Sequence, residues 1–154
     1  MADKTPQKFE IQKIYVKDLS FETPNSPKIF TEKWNPKTDV HIQTENDKLD
    51  EKIFEVAITV TITATQEEST AFLVEVKQAG IFIIEQFPEE QYKQLLGSYC
   101  PNILFPFARE TVAELVTKGG FPQLLLNPVN FDALYKQHMS AVKEQKNNPE
   151  QIKH

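Results

Sequence analysis

The chain has 154 residues, 40% of them hydrophobic and 25% charged, which suits a single globular domain. Its formal net charge of −5 disfavours nucleic acid as the main partner, because phosphate binding requires clustered lysines and arginines and the 17 basic residues here are scattered. A single cysteine, Cys100, excludes an intramolecular disulfide, and no stretch approaches the roughly 18 apolar residues of a membrane span. Together with a polar N-terminus, these features predict a cytoplasmic protein.

The first half of the chain is predicted to form four β-strands, at residues 9–22, 40–42, 54–62 and 72–84. The apolar positions of residues 9–22 change parity twice, which predicts a bulge or a strong twist. Residues 23–37 contain three prolines and are predicted to form a crossover loop, and residues 46–52 a polar turn. The short sequential turns favour antiparallel pairing.

The second half is predicted to be helical, with helices at residues 88–97, 101–118 and 131–142, so the fold class is α+β. Pro106 is expected in or near the first turn of the second helix. An apolar loop at residues 121–129 precedes the last helix, which Asn130 is expected to cap. The chain thus divides into a flexible arm, a single domain and a polar, disordered tail, at residues 1–8, 9–142 and 143–154.

Residues that could carry catalysis are few. The three histidines do not have metal-ligand spacing, and they lie at positions 41, 138 and 154. Cys100 precedes a proline at a helix start, where the dipole could lower its pKa, although a thiol in an apolar segment is more often a core residue. No phosphate-binding loop or nucleophile motif is present. The sequence therefore predicts no enzyme activity, no metal site and no cofactor.

The strand periodicity places several carboxylates on one side of the sheet. Asp18 and Glu22 share a parity, and so do Leu73 and Glu75, which alternate with the apolar Val74 and Val76 of the same strand. These four residues, Asp18, Glu22, Leu73 and Glu75, are predicted to face solvent. They could dock a basic, partly apolar partner, or they could form ordinary strand surface. The apolar set is predicted to form core or a subunit contact.

A second predicted surface is apolar. Loops normally expose polar residues, yet the crossover loop carries Trp34 and the later loop carries Leu124 to Leu126. With Val40, Ile42 and Tyr135, these residues could form the walls of a groove that suits extended apolar segments. Packing into the core is the alternative.

Several long motifs are similar to one family. The segments CPNILFPFARE at Cys100–Glu110 and GGFPQLLLNPVNFDAL at Gly119–Leu134 resemble the signature stretch of the SecB protein-export chaperones. The opening FEIQKIYVKDLSFETPNSP and the later TAFLVEVKQAGIF agree with the same family in order and spacing. The resemblance covers about residues 9–142.

The resemblance implies a four-stranded antiparallel sheet with helices packed on one face, assembled as a homotetramer that is a dimer of dimers. It also implies an ATP-independent chaperone that binds unfolded precursor proteins and delivers them to the export motor SecA. Nucleic acid and direct membrane insertion are not expected. By position, the SecA-binding residues would be Asp18, Glu22, Leu73 and Glu75. The client groove would comprise Trp34, Val40, Ile42, Phe121, Leu124, Leu126 and Tyr135, and the tetramer contacts Val74, Val76 and Gln78.

Some positions depart from the family pattern. Val74 stands where some relatives have cysteine, Tyr135 where phenylalanine also occurs, and the tail after Val142 is not acidic. Two other functions remain compatible with the residues. One is a small-ligand carrier or enzyme with an enclosed pocket, and the other is an adaptor that binds only the motor.

Overall fold

The protein was analysed as a computed structural model, which describes residues 6–147. Four strands form one sheet, at Lys8–Glu22 (β1), Lys37–Asp50 (β2), Ile53–Gln66 (β3) and Ser69–Glu85 (β4). Three α-helices follow, at Glu89–Gln94 (α1), Cys100–Lys118 (α2) and Phe131–Asn147 (α3). The strand order is β1-β4-β3-β2 and every pair is antiparallel, which confirms the predicted fold class.

The predicted irregularity of the first strand is confirmed. The pairing of β1 with β4 shifts between Ile11 and Lys13 and again between Val16 and Asp18. Each shift inserts one residue, so the apolar side chains on either side return to the same face of the sheet despite their change of parity. The long strand can therefore keep one apolar face from end to end.

The core lies between one face of the sheet and α2. On β3 the alternation puts Val56, Ile58, Val60 and Ile62 at 0% exposure. Helix α2 covers them with a stripe at helical spacing, formed by Leu104, Ala108, Val112 and Val116. Cys100 is also buried, and burial raises the pKa of its thiol to about 12. Cys100 is thus a core residue and not a thiol with a lowered pKa, which was the other interpretation of the sequence.

The second strand is longer than predicted. Residues 46–52 were expected to be a turn, but β2 continues to Asp50. Polar side chains do not prevent this, because β2 lies at the edge of the sheet and all of its 14 residues except Ile42 are exposed. Backbone pairing with β3 determines the strand here, and side-chain alternation does not reveal it.

The predicted break between the first two helices is wrong. Residues Leu95–Tyr99 form a π-helical turn that joins α1 to α2 without leaving the helical backbone. The Cys100 N–H donates to the carbonyl of Leu95, so the wider turn accommodates the missing N–H of Pro101. Pro106 consequently lies inside a long helix and not in its first turn.

The last helix also extends beyond its predicted end. Helix α3 begins at Phe131, as expected, with the side chain of Asn130 accepting a hydrogen bond from the N–H of Ala133 at 3.0 Å. It continues to Asn147, so residues 143–147 of the predicted tail are helical. Residues 1–5 of the predicted arm and 148–154 of the tail lie outside the described residues.

Candidate functional site

The helix-free face of the sheet carries the predicted acidic residues. In the β1–β4 register Glu22 lies opposite Leu73, Ser20 opposite Glu75 and Asp18 opposite Lys77, and residues opposite each other point to the same side. Asp18, Glu22 and Glu75 are exposed and Leu73 is half-buried. The structure therefore brings all four predicted residues together on one surface, hereafter called the acidic face.

Two lysines near the acidic face, Lys17 and Lys77, form ion pairs with other carboxylates. Lys17 Nζ lies 2.8 Å from Glu55 Oε1, and the hydroxyl of Tyr15 donates to the other oxygen of Glu55. Lys17 and Tyr15 together lower the pKa of Glu55, while burial and the contact with Glu55 raise that of Tyr15 to about 12. Lys77 pairs with Glu45, which raises the pKa of the lysine.

These pairs leave the acidic face with net negative charge. Within residues 6–145, Asp18, Glu22 and Glu75 have no basic side chain within 4.0 Å. Glu75 accepts a hydrogen bond from the Thr61 hydroxyl at 2.9 Å, which orients its carboxylate without neutralising it. Such a surface attracts basic partners and leaves a half-buried leucine to add apolar contact.

The predicted tetramer residues lie on the opposite face. Val74, Val76 and Gln78 are 1%, 0% and 2% exposed within a single chain. The Gln78 amide donates to the carbonyl of Tyr15 at 3.0 Å, and its oxygen has no hydrogen-bond partner among the described residues. Within one chain, the valines belong to the core beneath α2. A role of the three residues in assembly stays a prediction.

An apolar stripe lies beside them on β1. Ile11, Val16 and Leu19 face the helix side of the sheet, where they pair with Phe82, Gln78 and Val76. They are nevertheless 44%, 42% and 45% exposed. The helices cover the middle of the sheet, and the described residues leave the apolar face of this edge strand partly uncovered.

A groove of about 810 Å³ lies between β2 and α3. Its apolar lining includes the predicted Ile42 and Tyr135, together with Leu96, Phe131, Leu134 and Met139. Gly97 makes the close approach of α3 possible, because a Cβ atom there would lie 2.5 Å from the Tyr135 ring. Ile42 and Tyr135 are half-buried and Leu134 is 41% exposed, so the groove opens to solvent.

The polar side of the groove is formed by the edge strand β2 together with Thr59, Lys77 and Lys93. Residues Gln43–Asn46 of β2 line it, and among residues 6–147 β2 pairs only with β3. An edge strand presents unpaired N–H and C=O groups at the spacing of an extended chain. A groove with one apolar wall and one such edge suits an extended peptide that carries apolar side chains.

The other predicted groove residues form a separate aromatic cluster. Phe121 lies at its centre, 4% exposed, with ring centroids 5.3 Å from Trp34, 5.1 Å from Phe30 and 5.1 Å from Phe72. Gly120 supports the arrangement with a φ of 91°, and a Cβ there would lie 3.1 Å from the Phe30 ring. Trp34 is half-buried and Phe30 is 48% exposed, so the cluster has a face open to solvent.

The remaining predicted groove residues differ in exposure. Val40 is 47% exposed on β2, on the same face as Ile42, whereas Leu126 is 9% exposed and Leu124 is half-buried against the core. Leu125, which belongs to the predicted run Leu124 to Leu126, is 67% exposed. Sequence reasoning did not assign Leu134 and Phe30 to the groove, and they are 41% and 48% exposed. The run of three leucines in a loop was the available signal for Leu125. Neither Leu134 nor Phe30 had a signal of its own.

The described residues offer little for catalysis. Residues 6–147 contain no group of three or more His, Cys, Asp or Glu side chains placed to hold a metal ion. No helix in this part of the chain is both long enough and apolar enough to cross a membrane. What the arrangement provides is surface: an open apolar groove, an exposed aromatic cluster and an acidic sheet face. These are features of a protein that binds other polypeptides.

Comparison with known proteins agrees with this class. The family described as Preprotein translocase subunit SecB matches residues 2–142. Three similar proteins are each called Protein-export protein SecB. The protein of Methylococcus capsulatus is 58% identical, with 90% of each chain covered, and that of Nitrosococcus oceani is 62% identical over 84% of this chain and 80% of the relative. The protein of Hahella chejuensis is 49% identical over 99% and 96%.

A solved structure has the same fold. The SecB-like chaperone Rv1957 of Mycobacterium tuberculosis, in complex with a ChAD peptide from the HigA1 antitoxin Rv1956, aligns with a TM-score of 0.66. The alignment covers 79% of this chain and 90% of that one, at 18% identity. The chain described here therefore belongs to the SecB family of protein-export chaperones.

Proposed function

We propose that this protein holds unfolded precursor proteins in its apolar groove and aromatic cluster, and passes them to the motor SecA through its acidic face. The observation that carries the proposal is the separation of these surfaces. Ile42 and Tyr135 are half-buried on the helix side of the sheet, whereas Asp18 and Glu75 are exposed on the other side. One molecule could therefore contact a client and the motor at the same time.

Client binding would be driven by burial of apolar groups. Such burial is worth about 25 cal/mol per Å² and needs no nucleotide. The open edge of β2 would add backbone hydrogen bonds, which any extended chain can make. This combination favours unfolded over folded clients, because a folded protein exposes neither extended backbone nor long apolar segments.

Assembly as a dimer of dimers is part of the proposal. The apolar stripe of Ile11, Val16 and Leu19 supports it, because three apolar side chains more than 40% exposed on one edge strand are suited to contact with another subunit. Several grooves in one assembly would raise affinity for a long client through multivalency. Light scattering should give a mass near four times 17.7 kDa, whereas a monomer would contradict this part.

The open groove between β2 and α3 argues against the two other candidate functions. A small-ligand carrier or enzyme requires an enclosed pocket, whereas most side chains that line the 810 Å³ groove are exposed or half-buried. An adaptor that binds only the motor would have no use for an apolar groove. Because clients are captured before they cross the membrane, the proposed location is the cytoplasm.

The double variant Asp18→Lys, Glu75→Lys tests the division of labour. Reversing both charges should weaken SecA binding by at least about tenfold, because charge complementarity across an interface is replaced by repulsion. Affinity for a slow-folding, unfolded precursor should stay within about twofold of the wild type. Both affinities can be measured by titration calorimetry in the same buffer.

A control variant exchanges two charged side chains on the other side of the molecule. The variant Glu114→Lys, Lys118→Glu exchanges an exposed pair of α2 without altering net charge and should affect neither affinity. Loss of client binding in the Asp18→Lys, Glu75→Lys variant would contradict separate surfaces. Equal binding of folded and unfolded precursor by the wild type would contradict the chaperone function itself.

A further inference from the structure

The crossover loop between β1 and β2 carries two members of the aromatic cluster but has few backbone tethers. Residues 23–36 contain one short 3-10 turn, Lys28–Thr31, and no ladder to the sheet. Ile29, 3% exposed, anchors the turn in the core. At the start of the loop, the Asn25 amide donates to the carbonyl of Thr70 at 2.8 Å. The second half of the loop, which holds Trp34, needs a different attachment.

That attachment is the side chain of Gln66, the last residue of β3. Its oxygen accepts a hydrogen bond from the N–H of Asn35 at 2.6 Å, and its nitrogen donates to Glu32 Oε2 at 3.3 Å. The two bonded residues flank Trp34 on either side. Gln66 is only 3% exposed, so both of its polar groups are used where water is largely excluded.

The turn beside Gln66 has an unusual backbone. Glu67 and Glu68 join β3 to β4 with φ values of 46° and 68°, in the left-handed region where glycine or asparagine is usual. This two-residue turn pairs Gln66 with Ser69 and so ends the sheet at a defined position. Gln66 is therefore attached to the rigid sheet on one side and bonded to the crossover loop on the other.

We propose that Gln66 is a positioning residue for client binding: by bonding to Glu32 and Asn35 it holds Trp34 against Phe121 in the orientation that contacts the client. The proposal rests on the proposed function, because it assumes that the aromatic cluster binds unfolded chains. Without the two bonds, the loop segment would move as a unit and the 5.3 Å contact between the Trp34 and Phe121 rings would loosen. A client would then bear the cost of ordering that segment.

The variant Gln66→Leu tests the proposal, because leucine has a similar size and cannot form either bond. Trp34 is the only tryptophan, so its fluorescence reports on this loop alone. In the client-free protein, acrylamide quenching of Trp34 should increase at least about twofold. Affinity for an unfolded precursor that lacks tryptophan should fall about five- to tenfold, mainly through faster dissociation. SecA affinity should not change.

Two further variants separate positioning from general stability. Glu32→Ala removes only the exposed acceptor, so the fold should tolerate it, and it should change quenching and client affinity in the same direction to a smaller degree. Ile58→Val truncates a core side chain at 0% exposure, opposite Gln78 in the middle of the sheet and so away from Gln66 at its end, and should lower stability without changing either quantity.

The outcomes distinguish this inference from the proposed function. Unchanged quenching in Gln66→Leu and Glu32→Ala would overturn the role of Gln66, whatever the client affinity. Increased quenching with unchanged client affinity would also overturn it, while leaving the chaperone function intact. If the wild type itself bound no unfolded precursor, the proposed function would fail, and increased quenching would then establish only that Gln66 orders the loop.

Discussion

The two faces of the sheet differ in burial and in side-chain chemistry although they share the same strands. On the helix side, the side chains of β3 and β4 are almost completely buried and their apolar character is dictated by packing against α2. On the acidic face, threonines, carboxylates and lysines are exposed or half-buried, and their arrangement is set by charge. Substitutions on the acidic face can therefore change function without loss of the fold, whereas substitutions on the helix side disturb the packing of the core.

The largest expected effect concerns the reactivity of the Cys100 thiol, which should differ strongly between the folded and the unfolded protein. Its thiol lies at 0% exposure with a pKa of about 12, against an ordinary value of 9.0. The thiolate, which is the reactive form, should therefore be about a thousandfold rarer in the folded protein at neutral pH. Reaction with Ellman's reagent should be correspondingly slow in buffer and rapid in urea. A fast reaction in buffer would contradict the close packing of the helix side.

Phe72→Ala and Thr63→Ala compare how much side-chain packing on each face contributes to the free energy of unfolding. Phe72 is 2% exposed and contacts the rings of Phe21 and Phe121, so removing its ring should cost about 3–5 kcal/mol of the free energy of unfolding. Thr63→Ala, on the acidic face of the adjacent strand, should cost within about 0.5 kcal/mol. Urea unfolding at a fixed protein concentration measures both. Similar losses would mean that the faces do not differ in packing.

Leu134→Asp tests the open groove with a smaller effect. Leu134 is 41% exposed in the lining, so aspartate there should be tolerated by the fold but should weaken binding of an apolar client about tenfold, or about 1.4 kcal/mol. Lys136→Asp, two residues further along α3 and on nearly the opposite side of the helix, is the control and should have little effect. Equal weakening by both variants would indicate that charge on α3 matters and the groove does not.

The smallest expected effect concerns Glu55 on the acidic face. Its pKa is lowered by Lys17 and Tyr15, so its carboxylate stabilises the fold fully above the ordinary value of 4.5. That contribution is lost as the pH falls through the lowered pKa, because the unfolded chain then binds the proton more readily. With Lys17 nearly half exposed, the effect should be less than about 1 kcal/mol.

Comparison with Glu55→Gln measures this contribution. The wild type should lose more stability than the variant as the pH falls below 4.5, and the two should change in parallel above pH 6, as read from urea unfolding at each pH. Identical slopes throughout would show that Lys17 and Tyr15 do not favour the charged form of Glu55.

Where periodicity was strong, the fold could be predicted. The alternation in residues 54–62 gave β3, the parity changes in residues 9–22 gave the bulges of β1, and Asn130 marked the start of α3. The outward parity of Asp18, Glu22, Leu73 and Glu75 also agrees with their position in the sheet. In each case the signal is local, because the side chain itself carries the preference.

Features that depend on distant partners could not be predicted. The polar second half of β2 is a strand only because β3 pairs with it, and helix continuity through Gly97 and Pro101 depends on the π-helical turn and on the Tyr135 ring packed against the glycine. The predicted client residues also fall into two sites, a groove with Ile42 and Tyr135 and a cluster with Trp34 and Phe121. Their separation depends on where α3 lies relative to the sheet.

By itself, the sequence determined the class of fold, the family and the sidedness of the sheet, because strand alternation assigns each side chain to one face before any packing occurs. Only the tertiary structure decided which apolar residues outside the core remain exposed, and that Gln66 bonds to the loop carrying Trp34. Exposure depends on what covers a residue. For Trp34 and Ile42 the nearest covering elements come from the other end of the chain, a relation that local patterns do not encode.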